Sequence, residues 1–97
     1  MLIHIVCWKY KPGTDAASRD EHRAKLRDLP SLIPNILSFD VGEDVLHLER
    51  SFDTGLVARF SNRDALDIYT DHAEHQAVVA FGRKIAEKVV SVDFFTD

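Results

Sequence analysis

The stretch Leu2 to Tyr10 is strand-like and apolar on both of its alternating faces. Ile3, Ile5 and Cys7 share one face, and His4, Val6, Trp8 and Tyr10 share the other. Because an apolar strand face is stable only when another element covers it, we expect this strand to be covered on both sides. One layer of helices covers one side, so the other side needs a further partner.

A helix is predicted from Ala16 to Leu29, with Thr14 or Asp15 available as its N-cap. Pro30 removes a backbone donor, so we expect the helix to end or tighten near Leu29. Its apolar stripe, at helical spacing, contains His22, Leu26, Leu29 and Ile33. A second stripe, predicted to be solvated, contains Arg19, Arg23 and Arg27.

The rest of the chain continues with strands and helices. The second strand is predicted over Ile36–Val41, and Gly42 is expected to break it. The segment from Glu43 to Asp53 is predicted to be an extended connection or a continuation of this strand. The third strand is predicted over Thr54–Phe60. The last elements are a short helix from Arg63 to Tyr69 capped by Asn62, a helix begun by the capping pair Asp71 and Glu74 and running to about Lys88, and a strand from Val89 to Thr96.

This βαββαβ order predicts one α+β domain over residues 1–97 with the ferredoxin-like arrangement, a four-stranded antiparallel sheet with its helices on one face. The second face is also expected to be apolar, through Val6, Trp8, Val57, Val90 and Val92. Water is a poor neighbour for such a surface. A second copy of the sheet would cover it, so the sequence predicts a two-fold homodimer.

The charge and composition of the chain limit the classes of partner and the cellular compartment that are expected for it. A formal net charge of −4 does not suit the neutralisation of a run of phosphates, so no nucleic-acid partner is expected. No apolar run approaches the roughly twenty residues of a membrane span, and the N-terminus does not resemble a signal peptide. Cys7 is the single cysteine. Together these features predict a cytoplasmic protein that does not bind membranes.

A phenol and two imidazoles lie between Leu66 and Ala77, around a predicted helix break. An imidazole near its reference pKa can remove a proton from carbon, so His75 is the candidate general base. Tyr69 is the candidate donor to the oxygen on which charge develops. The plainer interpretation is that His75 caps or packs near the sheet and Tyr69 is a core aromatic.

Other candidate residues have weaker signals. His72 and His75 form an H-x-x-H pair, and His4 or Glu74 would have to complete a metal-ligand set. Because two histidines alone are an incomplete set, no metal is expected. No cofactor is expected either. His4 is either a satisfied core histidine or a pocket-lining donor. Arg59 is either salt-bridged or available to a ligand carboxylate. Trp8 is expected to line the cavity or the dimer interface by virtue of its area.

Several segments together resemble the stress-responsive α/β-barrel (Dabb) family over essentially the whole chain. The resemblance rests on His4–Gly13, Leu32–Phe39, Ala65–Tyr69, His72–His75 and Val89–Phe94. It implies a homodimer whose two sheets close a barrel. The family includes plant stress proteins, a polyketide cyclase that performs an intramolecular aldol condensation, and bacterial proteins with no settled role.

The resemblance to the cyclase implies a pocket lined by His4, Tyr69 and His75, the last two catalytic. A pocket histidine of the cyclase falls at Gly55 here, which would change the pocket, and the common proline between the two histidines is Ala73. The resulting hypothesis is cofactor-free proton abstraction from a small carbonyl compound, bound in the barrel cavity with help from His4, Trp8, Arg59 and His72. The alternatives are a non-catalytic binding module and a stress-protective structural dimer.

Overall fold

A computed structural model describes residues 1–96 and arranges them as a four-stranded antiparallel sheet with helices. The elements are β1 Leu2–Tyr10, α1 Ala16–Leu32, β2 Ser38–Glu43, β3 Thr54–Phe60, α2 Arg63–Asp71, α3 Ala73–Ile85 and β4 Ala86–Phe95. The strand order is β2-β3-β1-β4, and every neighbouring pair is antiparallel. The predicted ferredoxin-like α+β fold is confirmed, with β1 and β3 at the bounds that the sequence indicated.

The core lies between the sheet and the helices. The predicted apolar stripe of α1 is buried there, against the alternate residues of β3 that face the helices. The buried residues concerned are His22, Leu26, Leu29 and Ile33 of the α1 stripe, with Leu56, Ala58 and Phe60 of β3. Burial of such side chains is the main favourable contribution to folding.

Helix α1 continues past Pro30, so the predicted end at Leu29 is wrong. A proline in the last turn removes one backbone donor, and the following turn still forms because Ile33 donates its backbone N–H to the carbonyl of Leu29 over 3.0 Å. At the other end Asp15 is the N-cap, and its carboxylate accepts from the backbone N–H of Ser18 over 2.8 Å.

Arg23 is buried, which corrects the prediction that its stripe is solvated. The side chain is 5% exposed and reaches the end of β3, where it donates to Oγ1 of Thr54 over 3.1 Å and to the carboxylate of Asp20 over 2.7 Å. These partners make the burial of its charge tolerable. Arg19 is half-buried, and Arg27 is exposed.

Strand β2 begins at Ser38, two residues later than predicted, and it includes Gly42. The prediction that Gly42 ends the strand is wrong because Gly42 pairs with Gly55 in β3 and remains extended. The connection from 44 to 53 is held to β1 by a hydrogen bond of 2.8 Å from the N–H of Asp53 to the carbonyl of Trp8.

The break between α2 and α3 lies at His72. Its backbone is extended, and its Nδ1 accepts from the backbone N–H of Glu74 over 3.1 Å, so His72, and not Asp71, is the N-cap of α3. Asn62 caps α2 as predicted. Helix α3 ends at Ile85, and β4 starts at Ala86 directly after it, three residues earlier than predicted.

Strand register decides which residues share a face. Val6 pairs with Leu56, whereas Ile5 pairs with Val57 and Val92. Directly opposed residues of antiparallel strands lie on the same face, so Val6 and Trp8 face the helices, contrary to the prediction, whereas Val57, Val90 and Val92 lie on the open face as predicted. Within residues 1–96, no helix has the length and apolar character needed to cross a membrane.

Candidate functional site

A cavity of about 320 Å³ lies between the helices and strands β1 and β4. It is on the helix side of the sheet, within one chain, and not on the open face where the barrel-interior hypothesis placed it. Alternate residues of β1 form its floor: His4, Val6 and Trp8. Tyr69 and Thr70 of α2 and His75 of α3 close one end. Four of the predicted site residues, His4, Trp8, Tyr69 and His75, therefore line the same cavity.

The imidazole of His75 is held in one tautomer. Its Nδ1 lies 3.0 Å from the carbonyl oxygen of Thr70, and because a carbonyl can only accept, Nδ1 carries the hydrogen and Nε2 keeps its lone pair. Burial lowers the pKa of His75 below its usual value, the hydrogen bond to Thr70 opposes this shift, and the nearby His4 adds to it. His75 is therefore a neutral base at neutral pH.

Tyr69 is the phenol of the site. The residue is 2% exposed, and its ring centroid is 4.3 Å from that of His75 and 5.9 Å from that of His4. Burial raises the pKa of Tyr69, so the hydroxyl keeps its proton and can donate it in a hydrogen bond. Among residues 1–96 no protein group is hydrogen-bonded to this hydroxyl, which leaves it free to donate to a ligand.

His4 is held by a carboxylate that the sequence analysis did not identify. Asp93 pairs with His4 across β1 and β4, and its Oδ1 is hydrogen-bonded to Nδ1 of His4. Since a carboxylate accepts, Nδ1 is the donor, and the bond fixes the orientation of the ring. His4 thus presents its other edge to the cavity beside Tyr69.

His22 lines the cavity near Trp8 and belongs to a buried polar chain. The hydroxyl of Tyr10 lies 2.7 Å from Nδ1 of His22 and 2.8 Å from Oγ1 of Thr54, which in turn accepts from Arg23. Each proton finds an acceptor if Thr54 donates to Tyr10 and Tyr10 donates to His22. His22 is 1% exposed, and burial, with a smaller effect from Arg23, lowers its pKa to about 4.

Two predicted substrate-binding residues lie away from this cavity. Arg59 is exposed and belongs to the β3 residues that alternate with the buried ones, so it projects from the open face. His72 caps α3 and does not line the cavity. Gly55 is also on the open face, so its missing side chain does not alter the cavity, contrary to expectation. Within residues 1–96, no three His, Cys, Asp or Glu side chains group as a metal site.

A family model for the stress responsive A/B barrel domain, Dabb, matches residues 2–96. The chain belongs to the Dabb family. The predicted resemblance is thereby confirmed. A stress-response A/B barrel domain-containing protein of Arabidopsis thaliana is 31% identical over 94 residues, which cover 94% of this chain and 82% of the relative.

Two solved structures show how closely this Dabb chain follows a known fold. A dimeric ferredoxin-like protein of unknown function from Thermobifida fusca superposes with a TM-score of 0.89 at 23% identity, over 98% of this chain and 90% of that one. A hydroxynitrile lyase from Passiflora edulis superposes with a TM-score of 0.88 at 16% identity, over 99% and 93% of the two chains. At these identities the likeness establishes the fold.

Three residues of the site in this Dabb chain were not predicted from the sequence: Asp93, His22 and Arg83. Asp93 could not be assigned because its partner His4 is 89 positions away in the sequence. Strand alternation does place Asp93 on the same face of β4 as Val89 and Ser91. His22 was read only as part of a helical stripe. Arg83, in the last turn of α3, lines the cavity as the cation that had been expected from Arg59.

Proposed function

We propose that this protein binds a small, partly apolar carbonyl compound of the polyketide type in the cavity and removes a proton from the carbon next to the carbonyl. His75 is the base and Tyr69 is the hydrogen-bond donor. The hydroxynitrile lyase from Passiflora edulis has the same fold, which supports the proposal because it shows that the fold is compatible with conversion of a small molecule.

In the proposed step, the lone pair on Nε2 of His75 takes the proton from carbon, and the electrons of the C–H bond move into the carbonyl to form an enolate. The hydroxyl of Tyr69 donates a hydrogen bond to the enolate oxygen, where the negative charge collects. The enolate carbon then attacks an electrophile, which is a second carbonyl of the same molecule in an aldol cyclisation. The proton on His75 passes to the resulting alkoxide, so atoms and charge balance.

One observation carries the proposal: the contact between the rings of Tyr69 and His75, with 4.3 Å between centroids, at the end of an open cavity. The carbonyl of Thr70 accepts the hydrogen bond from Nδ1 of His75, so Nε2 of His75 is the unprotonated nitrogen that can act as the base. A base beside a neutral donor is the arrangement that enolisation needs.

Deuterium exchange at the C2 position of ethyl acetoacetate, followed by NMR in D₂O, tests this proposal. The wild type is expected to accelerate exchange above the background rate. His75→Ala should lose this acceleration, and Tyr69→Phe should reduce it about a hundredfold, the usual effect of losing one donor to a developing oxyanion. His47→Asn is the matched control, since His47 is exposed and does not line the cavity.

If the wild type binds carbonyl ligands without accelerating exchange, the protein is a binding module and not an enzyme of this type. Acceleration that survives in His75→Ala would instead reject His75 as the base. Folding of each variant is checked by far-UV circular dichroism.

We also propose a homodimer formed through the open face of the sheet. The apolar side chains Val90, Val92 and Phe94 of β4 are exposed there in one chain. A surface of this kind favours association, and a second copy covers it with two-fold symmetry. The Thermobifida fusca protein with the same fold is dimeric, which supports this assembly.

A further inference from the structure

Arg83 lines the cavity at the end remote from Tyr69 and His75. It lies in the last turn of α3, on the helix face that also carries His75, Val78 and Val79. Among residues 1–96 no carboxylate lies within salt-bridge distance of its guanidinium. A guanidinium without an internal partner can bind an anionic group of a ligand.

The two ends of the cavity are separated by a defined length. His75 and Arg83 are eight positions apart on one helix, which corresponds to about 12 Å of helical rise. His4 and Trp8 on the floor are four positions apart on a strand, which corresponds to about 13 Å. The cavity is therefore elongated along β1 and α3.

The middle of this cavity is apolar. Its walls between the two ends are the side chains of Val6, Leu26, Val78 and Val79. Such a surface favours a hydrocarbon segment by removing it from water. The order along the cavity is thus a histidine and tyrosine end, an apolar middle and a cationic end.

We propose that the ligand is an elongated carboxylate, with its acidic group at Arg83, its hydrocarbon segment against the valines and its reactive carbonyl beside His75 and Tyr69. This inference deepens the proposed function and rests on it for the position of the reactive carbonyl. Arg83 is a specificity residue in this scheme, because it selects acids over neutral molecules of the same length.

Octanoate and 1-octanol test the selection, since they share a hydrocarbon chain and differ in charge. Trp8 is the only tryptophan and lines the cavity, so its fluorescence reports binding of each probe. Arg83→Gln is the test variant, and Lys84→Gln is the matched control, because it removes the same charge at a neighbouring exposed position that does not line the cavity.

The wild type is expected to bind octanoate more tightly than octanol. Arg83→Gln should weaken octanoate binding about tenfold relative to octanol, as expected when a charge-assisted hydrogen bond is lost, and Lys84→Gln should bind both probes as the wild type does. Equal losses of octanoate binding in the two variants would reject Arg83 as the anion site. If the wild type binds both probes equally tightly, or binds neither probe, the proposal that the ligand is a carboxylate is rejected.

These outcomes are separable from failure of the proposed chemistry. Ethyl acetoacetate is short and neutral, so its exchange reports only on the His75 and Tyr69 end. Selective octanoate binding without catalysed exchange would retain Arg83 as an anion site and reject the base. Catalysed exchange without octanoate selectivity would retain His75 as the base and reject Arg83 as an anion site.

Discussion

Asp93 lies directly opposite His4 in the pairing of β4 with β1, and its carboxylate holds Nδ1 of His4. This contact orients an imidazole that lines the cavity within reach of the Tyr69 ring. The carboxylate does not itself line the cavity, so Asp93 acts through His4 as a positioning residue.

Replacing Asp93 with Asn should leave the fold intact and release His4. A neutral amide is a weaker partner than a carboxylate and does not impose one tautomer on His4. Because the His4 ring packs beside the Tyr69 donor, we expect exchange of ethyl acetoacetate to slow by about tenfold. Nitrogen chemical shifts of the His4 ring should show the altered tautomer directly. Asp28→Asn, at an exposed position of α1, is the control. Unchanged His4 shifts in Asp93→Asn would contradict the assigned contact.

The rate of exchange should depend on pH through His75. Only neutral His75 accepts a proton, and its pKa is lowered by burial, so the rate should be full at neutral pH and fall as the pH drops through a value below the usual 6.5. The measurement is the exchange rate between pH 4.5 and 8 after subtraction of the background. His47→Asn should retain this profile. An inflection above 6.5 would show that His75 is not the titrating base.

The sheet could be predicted from sequence because its signals are local. The β-branched and aromatic residues of Leu2–Tyr10 and the alternating faces of Thr54–Phe60 predicted two strands with their observed bounds. Helix α1 was located by its cap and its apolar stripe, but its end was misplaced because one proline in a last turn removes only one donor. The starts of β2 and β4 were also displaced, by two and three residues, because the bounds of an element depend on pairing and packing as well as on local residues.

The candidate site was predicted only in part, since the positions of several of its residues depend on the pairing register of the strands and on how the helices pack against the sheet. Tyr69 and His75 are close in sequence, and their placement followed from the helix break. Arg59 was misplaced and Arg83 was not predicted, because which face of a sheet or helix meets the cavity depends on tertiary packing. Arg23 was misjudged for the same reason, as its buried partner Thr54 comes from β3.

The proposed dimer can be tested by placing a charge on the open face. Val92 is 53% exposed in one chain, and Val92→Glu should convert a dimer into a monomer because a buried unpaired carboxylate opposes association. Ile68→Glu is the matched control, since Ile68 is 46% exposed on α2, on the helix side. The molar mass of each variant is measured by light scattering after gel filtration. A dimeric Val92→Glu protein would exclude this face as the interface.

His22 should make stability depend on pH in the acid range. Its pKa is about 4 in the folded chain and about 6.5 when unfolded, so between these values the unfolded state binds the extra proton. The contribution of neutral His22 to the free energy of unfolding is therefore present in full above pH 6.5. As the pH falls toward 4, this free energy decreases by up to about 1.4 kcal/mol per pH unit. Urea unfolding at pH 7, 6 and 5 measures this slope.

The comparison for that slope is His22→Gln, which can still accept a hydrogen bond from Tyr10 but does not titrate. We expect this variant to be less stable at pH 7 and to lose less stability on acidification. His47→Gln should keep the wild-type slope because His47 is exposed. Identical slopes for the wild type and His22→Gln would show that His22 is not the group responsible.

The alternation of β1 has a consequence for how such proteins diversify. His4, Val6 and Trp8 line the cavity, whereas Ile3, Ile5 and Cys7 lie on the other side of the same strand. After gene duplication, one copy can accumulate changes at the even positions and acquire a new ligand while its odd positions stay constant. Paralogues that recognise different compounds would then retain the capacity to pair with each other.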